Sequence, residues 1–270
     1  MRKLDLNGWE IYQLDATRFA LDGGAMFGVV PRVLWERKIK PDERNRIPMA
    51  THPLLIKTDD SLVLIDTGMG TGWDEKFRDI YAVEERDLFE GTDFGYEDVD
   101  VVIATHLHFD HMAGAVDSEG KLLFENADIY VNSFEMADAL FPHARSRASY
   151  VAERIHPLRD RVVLVEGTRE ILPGITMIQT GGHTRGHSVV LVEKGDRAVL
   201  FLADLVPTVH HVHYPYIMAY DLYPVETLQK KYEIYQEAVK YGWILAFEHD
   251  REGRMGTLYI ESGRPVLQEI

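Results

Sequence analysis

The sequence predicts an α/β layered fold, and three observations support this prediction. Short apolar runs rich in Val, Ile and Leu recur along the chain, as expected of buried strands. Helical patterns separate some of these runs, and an alternation of strands and helices is typical of α/β layers. The chain has 270 residues, of which 46% are hydrophobic and 27% are charged, which is ordinary for a globular protein with a sizeable core.

The apolar runs place the predicted strands from residue 53 onwards. Most are bounded by polar or turn-forming residues, which supports their assignment as separate strands. In chain order, the predicted strands are residues 53–57, 62–65, 99–104, 128–131, 175–180, 189–192, 198–202 and 244–247.

Two helices are predicted between the strands. Residues 134–141 can form a helix capped by Asn132 or Ser133. Residues 225–241 form the stronger helical pattern, and Gly242 suits its C-terminal cap. The apolar stripe predicted for this second helix consists of Leu228, Tyr232, Tyr235 and Val239.

A weak internal repeat links two parts of the chain. Residues 54–66 and 189–204 both read as a strand, a polar turn, a second strand and a terminal aspartate. Hairpins are common, so coincidence is an alternative. A genuine repeat would give two similar βα halves packed sheet against sheet, with helices outside and a site at the strand ends. We expect residues 1–270 to form one domain, although the length also allows two small ones.

Charge and composition narrow the classes of partner. The formal net charge of −15 argues against nucleic-acid binding, which needs basic surface. A small molecule is the expected partner, and a homodimer is an assembly that the sequence leaves open. Several arginines fall close together, and we expect them on a solvated helix face and loop. They are Arg145, Arg147, Arg154, Arg159 and Arg161.

No apolar run approaches the roughly 18–20 residues that span a bilayer, and residues 1–10 lack the apolar core of a signal peptide. We therefore expect a cytoplasmic protein without a membrane partner. The chain has no cysteine, which excludes disulfides, thiolate metal sites and cysteine nucleophiles. Any metal must be held by His and Asp or Glu.

Residues 105–114 contain a dense set of such ligands. His106, His108, Asp110 and His111 follow the apolar run 99–104 directly. In an extended segment, the side chains of His106 and His108 point the same way and can converge on one ion. Asp110 and His111 are offset and can serve a second ion. A surface histidine cluster is the alternative, but it would not be expected to follow so apolar a strand.

Three further candidate ligands occur in matching contexts. His183, Asp204 and His249 each follow a predicted apolar strand, as His106 does. The carboxyl ends of strands are where ligands gather in α/β sheets. A metal site that draws on several strand ends is therefore predicted.

These motifs resemble those of the metallo-β-lactamase superfamily. The matching segments are Leu-Ile-Asp-Thr-Gly at 64–68, Thr-His-Leu-His-Phe-Asp-His at 105–111, Thr-Gly-Gly-His-Thr-Arg-Gly-His-Ser at 180–188, Phe-Leu-Ala-Asp at 201–204 and Phe-Glu-His-Asp at 247–250. The resemblance implies a four-layer αββα sandwich with a dinuclear centre between its sheets. It assigns His106, His108 and His183 to one ion. It assigns Asp110, His111 and His249 to the other, with Asp204 bridging both.

The resemblance also implies a reaction. Two divalent ions would activate a bridging hydroxide as the nucleophile, and Asp110 would be a catalytic residue that orients or shuttles the proton. Zinc is the default metal, and iron, manganese or cobalt suit the same ligands. The layout is closest to the lactonase-like branch of N-acyl homoserine lactonases and organophosphate hydrolases, so a lactone or another ester-type small molecule is the expected substrate.

One departure from lactonases leaves the substrate open. Lactonases usually carry a tyrosine three residues after the bridging aspartate, where this chain has Pro207. Tyrosines that could replace it are Tyr214, Tyr216, Tyr220 and Tyr223. The alternatives are a glyoxalase II-like thioester hydrolase, for which no clear basic set is visible, and a phosphotriesterase. An iron-dependent redox enzyme of the same fold is the alternative from another class.

Other residues could support or line the site. Asp66 is predicted to accept a ring N–H from a ligating histidine, or to stabilise its turn. His187 is expected to hydrogen-bond within the loop of His183. The glycine-rich segment 22–31 could cap the site through Met26 and Phe27, or form a tight turn before a strand. A possible substrate pocket, or else a packed loop with solvated histidines, is indicated by His210, His211 and Tyr220.

Overall fold

The computed structural model describes residues 1–270 and contains sixteen β-strands. In chain order they are β1 (Arg2–Leu6), β2 (Trp9–Gln13), β3 (Thr17–Asp22), β4 (Arg46–Thr51), β5 (Leu54–Lys57), β6 (Leu62–Ile65), β7 (Val101–Ile103), β8 (Asp128–Asn132), β9 (Val162–Val165), β10 (Arg169–Leu172), β11 (Ile175–Gln179), β12 (Ser188–Lys194), β13 (Arg197–Phe201), β14 (Ile244–Phe247), β15 (Arg254–Glu261) and β16 (Arg264–Glu269).

Seven α-helices accompany the strands. They are α1 (Gly23–Phe27), α2 (Arg32–Trp35), α3 (Glu75–Tyr81), α4 (Phe109–Met112), α5 (Ser133–Leu140), α6 (Ala152–Ile155) and α7 (Pro224–Tyr241). The two predicted helices are present as α5 and α7. Asn132 caps α5 by accepting a hydrogen bond from the backbone N–H of Phe134, and Gly242 ends α7 in the left-handed conformation, with φ of 66°.

The strands form two seven-stranded sheets and a separate hairpin. The first sheet has the order β1-β2-β5-β6-β7-β8-β9, and the second has the order β10-β11-β12-β13-β14-β15-β16. The pair β3–β4 forms the hairpin. The first sheet therefore comes from the N-terminal part of the chain and the second from the C-terminal part.

The two sheets pack face to face because alternate residues of each strand are apolar on opposite faces. In β5, Leu54 and Ile56 point towards the second sheet, whereas Leu55 joins the core beneath the helices of the first sheet. On the far side of the second sheet, Leu191 packs in the core that contains Tyr235 of α7. Helices thus cover both outer faces, and the predicted αββα sandwich is confirmed.

The internal repeat is present in the sheet topology. The hairpins β5–β6 and β12–β13 occupy the third and fourth positions of their sheets. Each is followed by a parallel fifth strand, β7 or β14. The sheets differ afterwards, since β8 and β9 pair in parallel whereas β15 and β16 pair antiparallel. The two halves therefore share their first five strands.

The predicted apolar stripe of α7 is wrong. Tyr235 is buried, but Tyr232 and Val239 are 44% and 37% exposed. The inward face includes Lys231, whose ammonium donates hydrogen bonds to the carbonyls of His211, His213 and Tyr216 at 2.7, 2.8 and 3.0 Å. The hydrophobic pattern treats every lysine as exposed, so it predicts the wrong buried face for α7. The residues buried on α7 are Thr227, Lys231, Ile234, Tyr235 and Ala238.

The elements before residue 53 were not predicted, because charged and polar residues interrupt their apolar pattern. The glycine-rich segment 22–31 forms neither a flexible cap nor a simple turn. It contains α1, which begins after Asp22, whose carboxylate accepts a hydrogen bond from the backbone N–H of Ala25 at 2.8 Å. None of the helices combines the length and apolar character needed to cross a membrane.

Candidate metal centre

The predicted ligands lie on loops that leave the carboxyl ends of neighbouring strands. His106 and His108 follow β7, and His183 follows β11. Asp204 and His249 follow β13 and β14, which run parallel to each other. The two sheets bring these loops to one edge of the sandwich, as expected for an α/β site.

The structure brings all seven predicted ligands together in two buried groups. Within each group, one potential ligand atom of every residue lies within 4.8 Å of the others. The first group is His106, His108, His183 and Asp204, and the second is Asp110, His111 and His249. This division matches the assignment that the sequence resemblance implied.

Asp204 lies between the groups with one carboxylate oxygen facing each. Its Oδ2 is 3.1 Å from Nε2 of His183 and 3.8 Å from Nε2 of His106. Its Oδ1 is 3.1 Å from Nε2 of His249 and 3.4 Å from Nε2 of His111. This is the position of a carboxylate that bridges two cations.

The hydrogen bonds of four histidines set their tautomers. The Nδ1 of His111 lies 2.9 Å from Asp66, that of His183 2.9 Å from Asp221, and that of His249 3.0 Å from the carbonyl of Ala50. Because these partners are acceptors, each Nδ1 carries the proton. His106 follows the same pattern through the hydroxyl of Thr105, which itself donates to Asp66. In the neutral form, all four Nε2 atoms therefore carry lone pairs.

A cation is needed to make this arrangement favourable. The Nε2 atoms of His111 and His249 face each other at 3.0 Å, and Nε2 of His183 lies 3.0 Å from Nδ1 of His108. The buried Nε2 atoms of His106 and His108 have no hydrogen-bond partner. In their neutral form these nitrogens are ligands that converge around a carboxylate, and this donor set fits two divalent ions with nitrogen and oxygen ligands.

The charge states of the site fit the exchange of protons for a cation. Against the effect of burial, Asp204 raises the pKa of His111 and that of His183, so metal binding would displace protons from these two rings. Burial and the neighbouring histidines hold the pKa of His106 and that of His108 well below the usual value, which favours the neutral ligand form. Burial alone would raise the pKa of Asp204, but His183, His111 and His249 hold it well below its usual value. The bridging carboxylate is therefore ionised.

Asp66 lies behind the second group. Its Oδ2 accepts from His111 and from the hydroxyl of Thr105 at 2.7 Å, and its Oδ1 accepts from the backbone N–H of Thr105 at 2.8 Å. Its φ of 58° is a left-handed conformation, which aspartate tolerates better than most residues do. Asp66 therefore makes the contact predicted from the sequence and also holds the start of the histidine loop.

His187 contacts the backbone of the bridging residue. Its Nδ1 lies 2.6 Å from the hydroxyl of Thr180, and its Nε2 accepts the backbone N–H of Asp204 at 3.2 Å. Burial and His183 hold the pKa of His187 well below its usual value, so its ring is neutral. His187 thus joins the strand end before His183 to the loop of Asp204.

Two supporting carboxylates were missed by the sequence analysis. Asp221 accepts from His183, but it lies in a loop without a motif that could have marked it. Glu135 is fully buried in the first turn of α5. It accepts hydrogen bonds from the backbone N–H of Leu107 at 3.0 Å and from the hydroxyls of Tyr150 and Thr184 at 2.8 and 2.5 Å. Its position in a helix suggested only a favourable first-turn charge.

A cavity of about 150 Å³ opens onto the metal-ligand groups. Met26 and Tyr220 line it, as the sequence analysis expected. The further lining residues were not predicted as pocket residues. They are Leu21, Met49, Tyr81, Phe109, Arg145, Ala148, Ser149 and Met218, together with the ligand candidates His108, Asp110, His183, Asp204 and His249.

Phe27, His210 and His211 do not line this cavity, so their predicted pocket role is wrong. The ring of His211 is buried in the core, where Nε2 contacts the carbonyl of Met26 at 2.8 Å and Nδ1 contacts the hydroxyl of Thr208 at 2.8 Å. Phe27 stacks on His211 with ring centroids 4.7 Å apart. His210 is half-buried. Burial lowers its pKa, and the positive charges of Lys38 and Arg254 lower it further.

Of the tyrosines considered as a replacement at Pro207, Tyr220 lines the cavity. Tyr214 stacks on Tyr232, and Tyr216 packs against Phe27. Tyr223 is exposed at the start of α7. Burial, with Tyr81 nearby, raises the pKa of Tyr220, so its hydroxyl keeps its proton.

Four of the five arginines expected on a solvated face are exposed, and one is buried. The exposed ones are Arg145, Arg147, Arg159 and Arg161. Arg154 is buried, and its guanidinium donates to the carbonyls of Val116 and Thr71. Arg147 is exposed, as expected. Arg145 also lines the cavity.

Comparison with known proteins agrees with this geometry. The family model described as the metallo-beta-lactamase superfamily matches residues 46–235. An N-acyl homoserine lactonase of Bacillus cereus is 29% identical over 171 residues, which cover 55% of this chain and 60% of the relative. A probable metallo-hydrolase of Mycobacterium tuberculosis is 31% identical over 185 residues, which cover 58% of this chain and 57% of the relative. The chain thus spans less than two thirds of these curated relatives.

Solved structures show similarity over nearly the whole chain. A probable metal-dependent hydrolase from Staphylococcus aureus aligns with a TM-score of 0.90 and 31% identity, covering 99% of both chains. The dizinc quorum-quenching lactonase AidC, solved with a product, aligns with a TM-score of 0.83 and 20% identity, covering 99% of this chain and 96% of that one. At that identity, the second similarity supports the fold alone.

Proposed function

This chain belongs to the metallo-beta-lactamase superfamily, and from that premise we propose that it is a metal-dependent hydrolase of a lactone or another ester-type small molecule. The observation that carries the proposal is the position of Asp204, whose two oxygens each face histidines of a different group. Structural metal sites are closed, whereas these two ligand groups share a carboxylate and face a cavity, as in a catalytic site.

The proposed ligands divide between two ions. His106, His108 and His183 would hold one ion, and Asp110, His111 and His249 would hold the other, with Asp204 between them. Two divalent ions at such a site lower the pKa of a shared water and polarise the carbonyl under attack. We propose zinc, and iron, manganese or cobalt are compatible with the same nitrogen and oxygen donors.

The residues of the chain supply binding and proton transfer. Asp110 lines the cavity with its Oδ2 3.7 Å from Nε2 of His249, where it can accept a proton from the attacking water and pass it to the leaving group. The protonated hydroxyl of Tyr220 faces the same cavity and can donate a hydrogen bond to the substrate carbonyl. Leu21, Met26 and Met49 provide apolar walls for the acyl part.

Lactones are the favoured ester class because several relatives are named N-acyl homoserine lactonases. Organophosphate triesters are the second candidate, because the motifs of the chain resemble the lactonase-like branch that includes organophosphate hydrolases. Thioesters are the third, because the same ligands would serve their hydrolysis.

The experiment is metal analysis of the purified protein, followed by turnover of matched lactone, thioester, phosphotriester and phosphodiester substrates. We expect two zinc ions per chain and turnover of the lactone. Asp110→Asn should lower kcat by about 100-fold or more while the protein stays folded. The matched control is Asp160→Asn, at an exposed position that does not line the cavity. A single tightly held iron with oxygen consumption would refute the proposal.

A further inference from the structure

Apart from the histidines, Arg145 is the one basic side chain that lines the cavity of the metal centre. Its Nη2 donates a hydrogen bond to the backbone carbonyl of Ala219 at 2.5 Å, which anchors one end of the guanidinium. No carboxylate oxygen lies within 4.0 Å of it, and its Nε and Nη1 groups have no hydrogen-bond partner. The side chain of Arg145 is exposed, so its free N–H groups are open to solvent and to a ligand in the cavity.

A second cavity of about 230 Å³ adjoins the first at this residue. The two cavities share His108, Arg145, Ser149 and Tyr220. The second one continues past Ser146, whereas the first continues towards the apolar side chains of α1 and the β3–β4 hairpin. The guanidinium therefore lies where a polar recess meets the cavity of the metal centre.

The free N–H groups of Arg145 define what could bind there. A guanidinium presents paired donors that match the two oxygens of a carboxylate or a phosphate. The acidic surface of the protein repels anions, so a fixed cation beside the cavity would select the anions that reach it. A neutral acyl chain would gain nothing from this group.

We propose that Arg145 binds an anionic group of the substrate, so that the preferred substrate is an ester or lactone that carries a carboxylate or phosphate remote from the bond that is hydrolysed. This inference rests on the proposed hydrolase function and names the substrate class for it. The scissile group lies at the metal centre, and the anionic group lies in the polar recess.

The test compares esters that differ only in the remote charge. The probes are mono-4-nitrophenyl adipate and suberate, the corresponding methyl esters of their free carboxyl groups, and a 4-nitrophenyl ester whose chain ends in phosphate. Arg145→Gln should lower kcat/KM for the anionic esters by about 10- to 100-fold and leave the methyl esters nearly unchanged. The response of the carboxylate and phosphate esters tells which anion is preferred.

Arg147→Gln is the matched control, because Arg147 is an exposed arginine of the same loop that lines neither cavity. Arg145→Lys keeps the charge but loses the paired donors, so it should restore part of the preference for anionic esters. An equal loss for charged and neutral esters in Arg145→Gln would overturn the proposal. So would an unchanged preference in Arg145→Gln, or the same loss of preference in the control Arg147→Gln.

Binding measured without turnover separates this inference from the hydrolase proposal. Calorimetry of the metal-loaded protein should show that adipate binds more tightly than monomethyl adipate, and that Arg145→Gln removes the difference. If no ester is hydrolysed but this difference is present, the hydrolase proposal fails and the anion site stands. If esters are hydrolysed but the difference is absent, the anion site fails and the hydrolase proposal stands.

Discussion

The buried carboxylate of Glu135 accepts a hydrogen bond from the hydroxyl of Thr184, the residue next to His183. The same carboxylate accepts the backbone N–H of Leu107, which lies between His106 and His108. One side chain on α5 therefore holds two loops that come from different sheets. These loops carry the three histidines of the first ligand group.

Replacement of Glu135 by alanine should weaken both the fold and the metal site. Three buried donors would lose their acceptor, so we expect a loss of about 3 kcal/mol in the free energy of unfolding. Zinc affinity should fall by about 10- to 100-fold because the ligand loops are no longer fixed. Urea unfolding and zinc competition measure the two effects. Glu153→Ala, an exposed position on α6, should change neither. Unchanged zinc affinity in a folded Glu135→Ala protein would contradict the positioning role.

Asp66→Asn removes the negative charge next to Nδ1 of His111 and keeps a side chain of similar size. Asparagine tolerates the left-handed backbone of residue 66, so the fold should be retained. The loss of the anionic acceptor for Nδ1 of His111 should lower the affinity for one of the two metal ions by about 10-fold or more. Metal titration followed by calorimetry checks this. If the affinities of both metal-binding steps are the same as in the unmodified protein, the role of Asp66 is limited to stabilising the backbone turn at residue 66.

Lys231→Met should destabilise the loop after Asp204. The carbonyls of His211, His213 and Tyr216 would lose their shared donor, at a cost of about 3 kcal/mol in unfolding free energy. The neighbouring Lys230 forms an ion pair with Glu233 at the surface, so Lys230→Met should have little effect. Chemical denaturation compares the two variants. A similar stability of both would show that the buried ammonium is dispensable.

His211 should make the folded protein less stable in acid. Burial lowers its pKa from 6.5 to about 3, so the folded protein keeps this ring neutral where the unfolded chain binds a proton. Between these pH values the unfolded state binds up to about one proton more, and stability therefore falls as the pH falls. His211→Gln should flatten this pH dependence.

The measurement is urea unfolding of the metal-free protein in steps from about pH 7 to about pH 5, where the slope reports the proton difference. His143→Gln, at an exposed position, is the control. An unchanged slope in His211→Gln would mean that its ring is protonated in the folded state.

The sequence analysis predicted most of the strands that are mainly apolar, but it missed the apolar run of β9. The strands of both hairpins, the fifth strands and the two longer helices were located because apolar side chains dominate them. The sequence analysis also missed the strands before residue 53 and the strands β10, β15 and β16, in which charged or polar residues interrupt the apolar ones. The inward face of α7 was misplaced because a buried lysine there binds three carbonyls, which no hydropathy pattern expresses.

The candidate site divides in the same way. Residues whose roles follow from a local motif, such as His106 and Asp204, were identified before the structure was considered. Glu135, Asp221 and Arg145 act through contacts with residues far away in the chain, and their own neighbours carry no signal. Phe27 was predicted at the site because its segment is glycine-rich and apolar, and His211 because it lies shortly after Asp204, but both side chains point into the core.

The shared topology of the two halves has a consequence for how the protein persists. Each ligand group combines residues that follow strands of the first sheet with residues that follow strands of the second. The chain has no cysteine, so no disulfide can tie the halves together. A bound ion would act as a reversible cross-link between them, and it would stabilise the folded state because the unfolded chain lacks the assembled site. The lifetime of the folded protein would then depend on the concentration of free metal ions around it, and a chelator would shorten that lifetime.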